Sequence, residues 1–212
     1  MHQPLDTAAL AQAIRAAGFD TLDVRSAVPD RDRYLRRPDL GRALDDASGA
    51  RLADHAAAMS GAPELVFVAA DSLSAFAAQR HAAPLLTSVR AKLEGWSIGP
   101  VVIATQARVA LGDPIGELLR AKIVVVMIGE RPGLSSPDSL GLYVTYAPRA
   151  GRSDAERNCI SNVRPAGLDY AAAFRLTWLL NEARRLKLTG VGLKDRSGTL
   201  PSPGPGAQAL EA

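Results

Sequence analysis

Glu130 and Arg131 stand directly after the most strand-like run of the chain, Ile123 to Ile128. They open the stretch GERPGLSSPDSLGLYVTYAPRAGRSDAERNCISNVRPAG, from Gly129 to Gly167. In open α/β sheets, ligands settle in the crevice beyond the carboxyl ends of the strands, so a carboxylate beside a guanidinium there is a candidate polar site. The same stretch holds the only cysteine, Cys159, inside the polar run DAERNCISN from Asp154 to Asn162. A run of this kind between two apolar blocks is a solvated loop or a binding loop. Cys159 would need a base to act as a nucleophile, and no histidine lies near it in the sequence. A small buried thiol or a backbone contact is the better reading.

Several chemistries are not signalled. The chain has no GxGxxG and no GxxxxGK[ST], so the usual dinucleotide and P-loop sites find no support. His2, His55 and His81 are too scattered for a sequence-local metal site, and one cysteine cannot build a thiolate cluster. His81 falls in the middle of a predicted helix, where it reads as a satisfied structural residue. The motif DxHxxG, which would offer a histidine to a corrinoid cobalt, is missing.

The elements that must position these residues begin at Glu64. Leu65 to Val68 and Val101 to Ala104 read as strands, as does Ile123 to Ile128, where six apolar residues in a row imply burial on both faces. Asp71-Ser72 should cap a helix that breaks or kinks before Pro84. Asp113-Pro114 should cap a second helix, Ile115 to Lys122. The alternation predicts a parallel sheet with right-handed crossovers. Leu142 to Ala147 makes a fourth strand, Leu168 to Leu186 a long helix, and Lys187 to Asp195 a short edge strand. Before this part, Asp6 or Thr7 caps an Ala-rich helix ending near Gly18, and a second runs from Ala50 to Met59. Between them, the Arg-dense stretch Val24 to Asp46 reads as a solvated linker or as a docking arm for an acidic partner. The fold class is therefore α/β, a mostly parallel, Rossmann-like sheet flanked by helices with a small helical N-terminal region. Residues 1–61 form that region and its linker, 62–195 the α/β domain, and 196–212 a Pro/Gly/Ser-rich flexible tail.

Composition sets the outer bounds. A chain of 212 residues with 47% hydrophobic content can pack one domain and a small annex, and no apolar run could span a bilayer. The start MHQPLDTAALAQAI is no secretory signal, and a single cysteine fits a reducing cytoplasm. A net charge of +3 with 5% aromatics gives no footprint for nucleic acid.

Two motifs carry a family resemblance. GERPGL and ERNCISN in this order, with AADSLSAFAAQRHAAPLL upstream and LLNEARRLKLTGVGLKD downstream, resemble the small subunit of the ethanolamine ammonia-lyases over residues 62–195. The resemblance implies a partner, the large subunit, with adenosylcobalamin held base-on between the two and ethanolamine converted to acetaldehyde and ammonia by a radical route. It implies cofactor contacts at Val109 in QARVALGD, Glu130 in GERPGL and Cys159 in ERNCISN. It assigns no catalytic residue to this chain and implies a higher oligomer of heterodimers. Val109 lies after one predicted strand and Glu130 directly after the next in the chain, so both can line one crevice at the same sheet edge.

This sequence departs from the family pattern at its start. The block of form TPARI-LGRAG survives as RRPDLGRALDD, keeping Leu40-Gly41-Arg42, in a region expected near the large subunit. The N-terminal region, which directs some members to a bacterial microcompartment, is shorter here, and leaves cytoplasm and microcompartment both open. Three alternatives stand beside the lyase subunit: a stand-alone module for a nucleotide-like ligand, a catalytically silent structural paralogue, and Glu130 as a general base.

Overall fold

The computed structural model describes residues 4–72, 74–130, 138–165, 167 and 171–193. Asp6 accepts a 3.0 Å hydrogen bond from the Ala9 N–H and so starts helix α1, Thr7–Ala16. Strand β1 (Thr21–Arg25) and helices α2 (Arg31–Arg36) and α3 (Asp46–Ala58) follow. The chain then alternates through β2 (Leu65–Ala70), α4 (Ala75–Arg90), β3 (Val101–Thr105), α5 (Gly112–Leu118) and β4 (Ile123–Gly129). It closes with β5 (Leu140–Tyr146), β6 (Arg157–Val163) and α6 (Ala171–Leu186).

The six strands among the described residues make one sheet in the order β1-β3-β2-β4-β5-β6. The first four are mutually parallel, and β5 and β6 add antiparallel pairs at one side. The sheet is thus mostly parallel in its inner strands and flanked by helices, as the alternation of elements implies. Period-two alternation divides it between two cores. Leu65, Phe67, Ile123, Val125 and Met127 pack with Leu10, Ile14, Leu86, Leu176 and Leu180 of α1, α4 and α6. Val66, Val68, Val124, Val126 and Ile128 pack with Leu52, Ala56 and Ile115 of α3 and α5. Burial on both faces is why β2 and β4 are unbroken apolar runs. On the second face α5 lies close: a Cβ on Gly112 would stand 2.4 Å from Val126 Cγ2.

Several elements differ from the sequence reading. The charged 24–46 stretch is folded rather than a solvated linker. Val24 sits in β1 opposite Ala104, and Val28 and Tyr34 are fully buried. The DAERNCISN run is neither loop alternative in its second half, because Arg157 to Val163 forms β6. Helix α4 begins at Ala75 and passes through Pro84 without a break. Ala82, Ala83, Leu85 and Leu86 are buried around the proline, so packing holds the turn that its missing N–H would weaken. Asp113-Pro114 falls inside the first turn of α5 instead of capping it, since the Asp113 carboxylate is taken up by Arg157. The stretch 187–193 turns back through a short helical segment and is no edge strand. The flexible tail expected over 196–212 lies outside the described residues, as do Arg131 and residues 132–137.

Candidate functional site

At the carboxyl ends of the sheet the chain leaves β2 toward β3 and leaves β4 toward β5. These departures diverge between neighbouring strands, which opens a crevice. A cavity of about 330 Å³ occupies it, lined by Ser72 after β2, Arg108, Val109 and Ala110 after β3, and Gly129 and Glu130 after β4. Tyr143, Arg42 and Asp154 complete the wall. Two of the three expected contact residues, Val109 and Glu130, therefore meet on one surface.

Backbone geometry fixes each wall. Gly129 is required at the end of β4, where a Cβ would stand 1.9 Å from the Ser74 carbonyl oxygen. Its neighbour Glu130 donates its N–H to the Ser139 carbonyl at 2.9 Å, which ties the end of β4 to the start of β5. The Glu130 carboxylate is held by Oε2, which accepts from the Ser139 hydroxyl and, at 3.2 Å, from the Asn162 N–H. Neither bond uses Oε1.

On the opposite wall Tyr34 acts as a clamp. Its hydroxyl donates to the Ala107 carbonyl at 3.0 Å and lies 3.0 Å from Ser72 Oγ, joining the loops after β2 and β3. Its ring lies between two guanidiniums, with the Arg31 and Arg108 Cζ atoms each 4.6 Å from the centroid. Arg108 donates to the Tyr34 carbonyl at 2.9 Å, while its buried Nε has no partner among the described residues. Ser72 and Gln106 both hold left-handed backbone, at φ 41° and 54°. Such strain persists only where surroundings over-determine it, and the Tyr34 bonds supply that constraint for Ser72. Burial raises the pKa of the Tyr34 phenol, and burial likewise raises that of Asp71, whose Oδ1 accepts from the Ala107 N–H at 3.2 Å.

Cys159 is placed differently from the sequence reading. It is exposed, not buried: Cys159 shares the α3/α5 face with its register partner Tyr143, but β6 is the edge strand and lies beyond those helices. It does not line the cavity itself; it pairs in register with Tyr143, which does. Burial first, and then the Cys159 thiol, push the Tyr143 phenol well above its ordinary range. The rest of the ERNCISN motif is structural. Arg157 makes two 2.7 Å bonds to the Asp113 carboxylate and a third, of 2.9 Å, to Thr145 Oγ1, all buried. Asn158 clamps Gly190 from both sides, donating to its carbonyl at 3.2 Å and accepting its N–H at 2.7 Å. Sequence reasoning did not assign Arg42, Ser72, Tyr143 or Asp154 to the site. The LGR remnant was the one available signal for Arg42, and Gly41 packs directly on Arg108, where a Cβ would come within 3.0 Å of Cγ.

The profile of the ethanolamine ammonia-lyase light chain (EutC) matches residues 1–194. A protein of Pseudomonas aeruginosa (strain LESB58) named ethanolamine ammonia-lyase small subunit is 57% identical over 200 residues, covering 93% of this chain and 73% of its own. Proteins of the same name from Ralstonia nicotianae and Azotobacter vinelandii are each 56% identical, covering 92% and 93% of this chain and 73% and 74% of their own. The chain belongs to the ethanolamine ammonia-lyase light chain family.

Proposed function

We propose that this chain is the small subunit of an adenosylcobalamin-dependent ethanolamine ammonia-lyase and forms one side of the cofactor site. The observation that carries the proposal is the meeting of Val109 and Glu130 on one cavity at the strand ends. The donor set fits the group. Val109 offers an apolar surface to a corrin rim or benzimidazole, and Glu130 Oε1 can accept from amide or ribose donors. Cys159, beside Tyr143, flanks the same wall. A cavity of about 330 Å³ is at the small end for a ligand pocket and takes only part of a corrinoid. The remainder needs cover from a partner, the large subunit, in a higher oligomer of heterodimers, whether free in the cytoplasm or within a microcompartment.

When bound, the cobalt–carbon bond of the cofactor supplies the radical. This chain's residues grip and orient the group and keep water from it. Substrate binding and radical handling belong to the large subunit, and no catalytic residue is assigned here.

The test is co-expression with the large subunit from the same organism, scored by adenosylcobalamin-dependent acetaldehyde release from ethanolamine. Activity should require both chains, and Glu130→Ala should raise the Kd for the cofactor roughly tenfold to a hundredfold, the loss of a hydrogen bond to a charged group. A folded chain that neither co-purifies with the large subunit nor supports turnover overturns the proposal.

A further inference from the structure

The strut behind Glu130 is a hydrogen bond outside the cavity. His81, two turns into α4, is buried, and its Nε2 lies 3.2 Å from Asp138 Oδ2. A carboxylate only accepts, so Nε2 carries the proton in this bond. Asp138 directly precedes Ser139, whose carbonyl accepts the Glu130 N–H and whose hydroxyl donates to Glu130 Oε2. An unbroken path of hydrogen bonds and one peptide link thus joins a buried position on α4 to the carboxylate on the cavity wall. Among the described residues Asp138 has one charged neighbour, Arg80, at 3.6 Å, but that side chain is 57% exposed and is a weak anchor. The direction of Glu130 depends on Ser139 together with the Asn162 N–H, which reaches the same Oε2 at 3.2 Å, and Asp138 is the anchor on the Ser139 side.

We infer that His81 is a positioning residue: through Asp138 and Ser139 it aims the Glu130 carboxylate into the cavity. The inference rests on the reading of Glu130 as a cofactor contact. It gives the buried histidine a task at the site although it touches no ligand.

A double-mutant cycle on the assembled two-subunit complex tests it, with the Kd for adenosylcobalamin measured by equilibrium dialysis. His81→Leu should weaken binding roughly threefold to thirtyfold, the usual range for a residue acting through others. His81→Gln, which keeps an amide donor, should recover much of the loss. In the Glu130→Ala background His81→Leu should change Kd no further, whereas mere loss of stability would act equally in both backgrounds. Thermal midpoints of every variant accompany the cycle. If His81→Leu fails to fold, Asp138→Ala removes the same strut from its other end and carries the same expectation. A Glu130→Ala effect combined with an additive or absent His81 effect overturns the positioning role alone. An unchanged Kd in Glu130→Ala overturns the cofactor reading, and this inference with it.

Discussion

At the residue scale, the arginine and glutamate of ERNCISN do opposite kinds of work. The Arg157–Asp113 pair is buried at both ends, with side chains 2% and 3% exposed. Removing one partner leaves the other as an uncompensated buried charge. Arg157→Leu should therefore destabilise the chain by about 3–5 kcal/mol, read from urea denaturation, and Asp113→Leu added to it should restore part of the loss. The Arg157→Leu loss should be far larger than that from Arg37→Leu, whose exposed pair with Asp39 is screened by water.

Glu156 is a different case. Its carboxylate accepts from the Ser153 N–H at 2.8 Å and pairs with Arg152. Those contacts, the Ser153 backbone bond first, lower its pKa from the ordinary 4.5 to about 2. A depressed folded-state pKa stabilises above the unfolded value and loses that contribution as pH falls through the folded one. The difference in thermal midpoint between the parent chain and Glu156→Gln should be full at pH 6 and shrink between pH 4.5 and about 2. A difference that is constant over that window would remove the linkage.

At the scale of elements, glycines divide sharply by what surrounds them. Gly49 in α3 has nothing within 4 Å of an added Cβ. Gly49→Ala should stabilise by about 0.5–1 kcal/mol, the helix propensity gain, measurable as a higher denaturation midpoint. Gly129→Ala should instead cost about 1–3 kcal/mol, since backbone must move where β4 meets the start of α4.

The same local contexts decide what was legible in the sequence. β2 and β4 were, because burial on both faces leaves continuous apolar runs. β1, with Thr21, Asp23 and Arg25, and β6, with Asn158, Cys159 and Ser161, were not, because edge strands with half-exposed faces read as polar. Pro84 suggested a break that buried neighbours override. In the site, Val109 and Glu130 were legible because each follows a predicted strand, β3 and β4, which flank β2 in the sheet. Tyr34 was not, since its contacts with Ser72 and Ala107 span 38 and 73 residues of chain. His81 read correctly as satisfied, but its partner was visible only once β5 was in place.

At the scale of the whole molecule, one sheet organises both ends of the described chain, and no helix among the described residues is long and apolar enough to cross a membrane. Stability and site are separable in this layout. Arg157, Asn158 and the two cores hold the sheet, while the cavity is walled by side chains from loops at one end of it.

The position of β1 carries a consequence for synthesis. Among the described strands it pairs only with β3, so Thr21 waits for Val101, about eighty residues later. At a ribosome's pace of roughly 5–20 residues per second, that is several seconds during which the nascent strand has no partner. The Tyr34 clamp shares the delay, because Ala107 emerges later still. The inner strands can begin to associate around β2 as each appears, but the arginine-rich wall of the crevice is sealed only after β3 has been translated. Until then Thr21–Arg25 can be held only by nearer contacts, such as the Asp45 N–H and the Ser48 hydroxyl on Arg25.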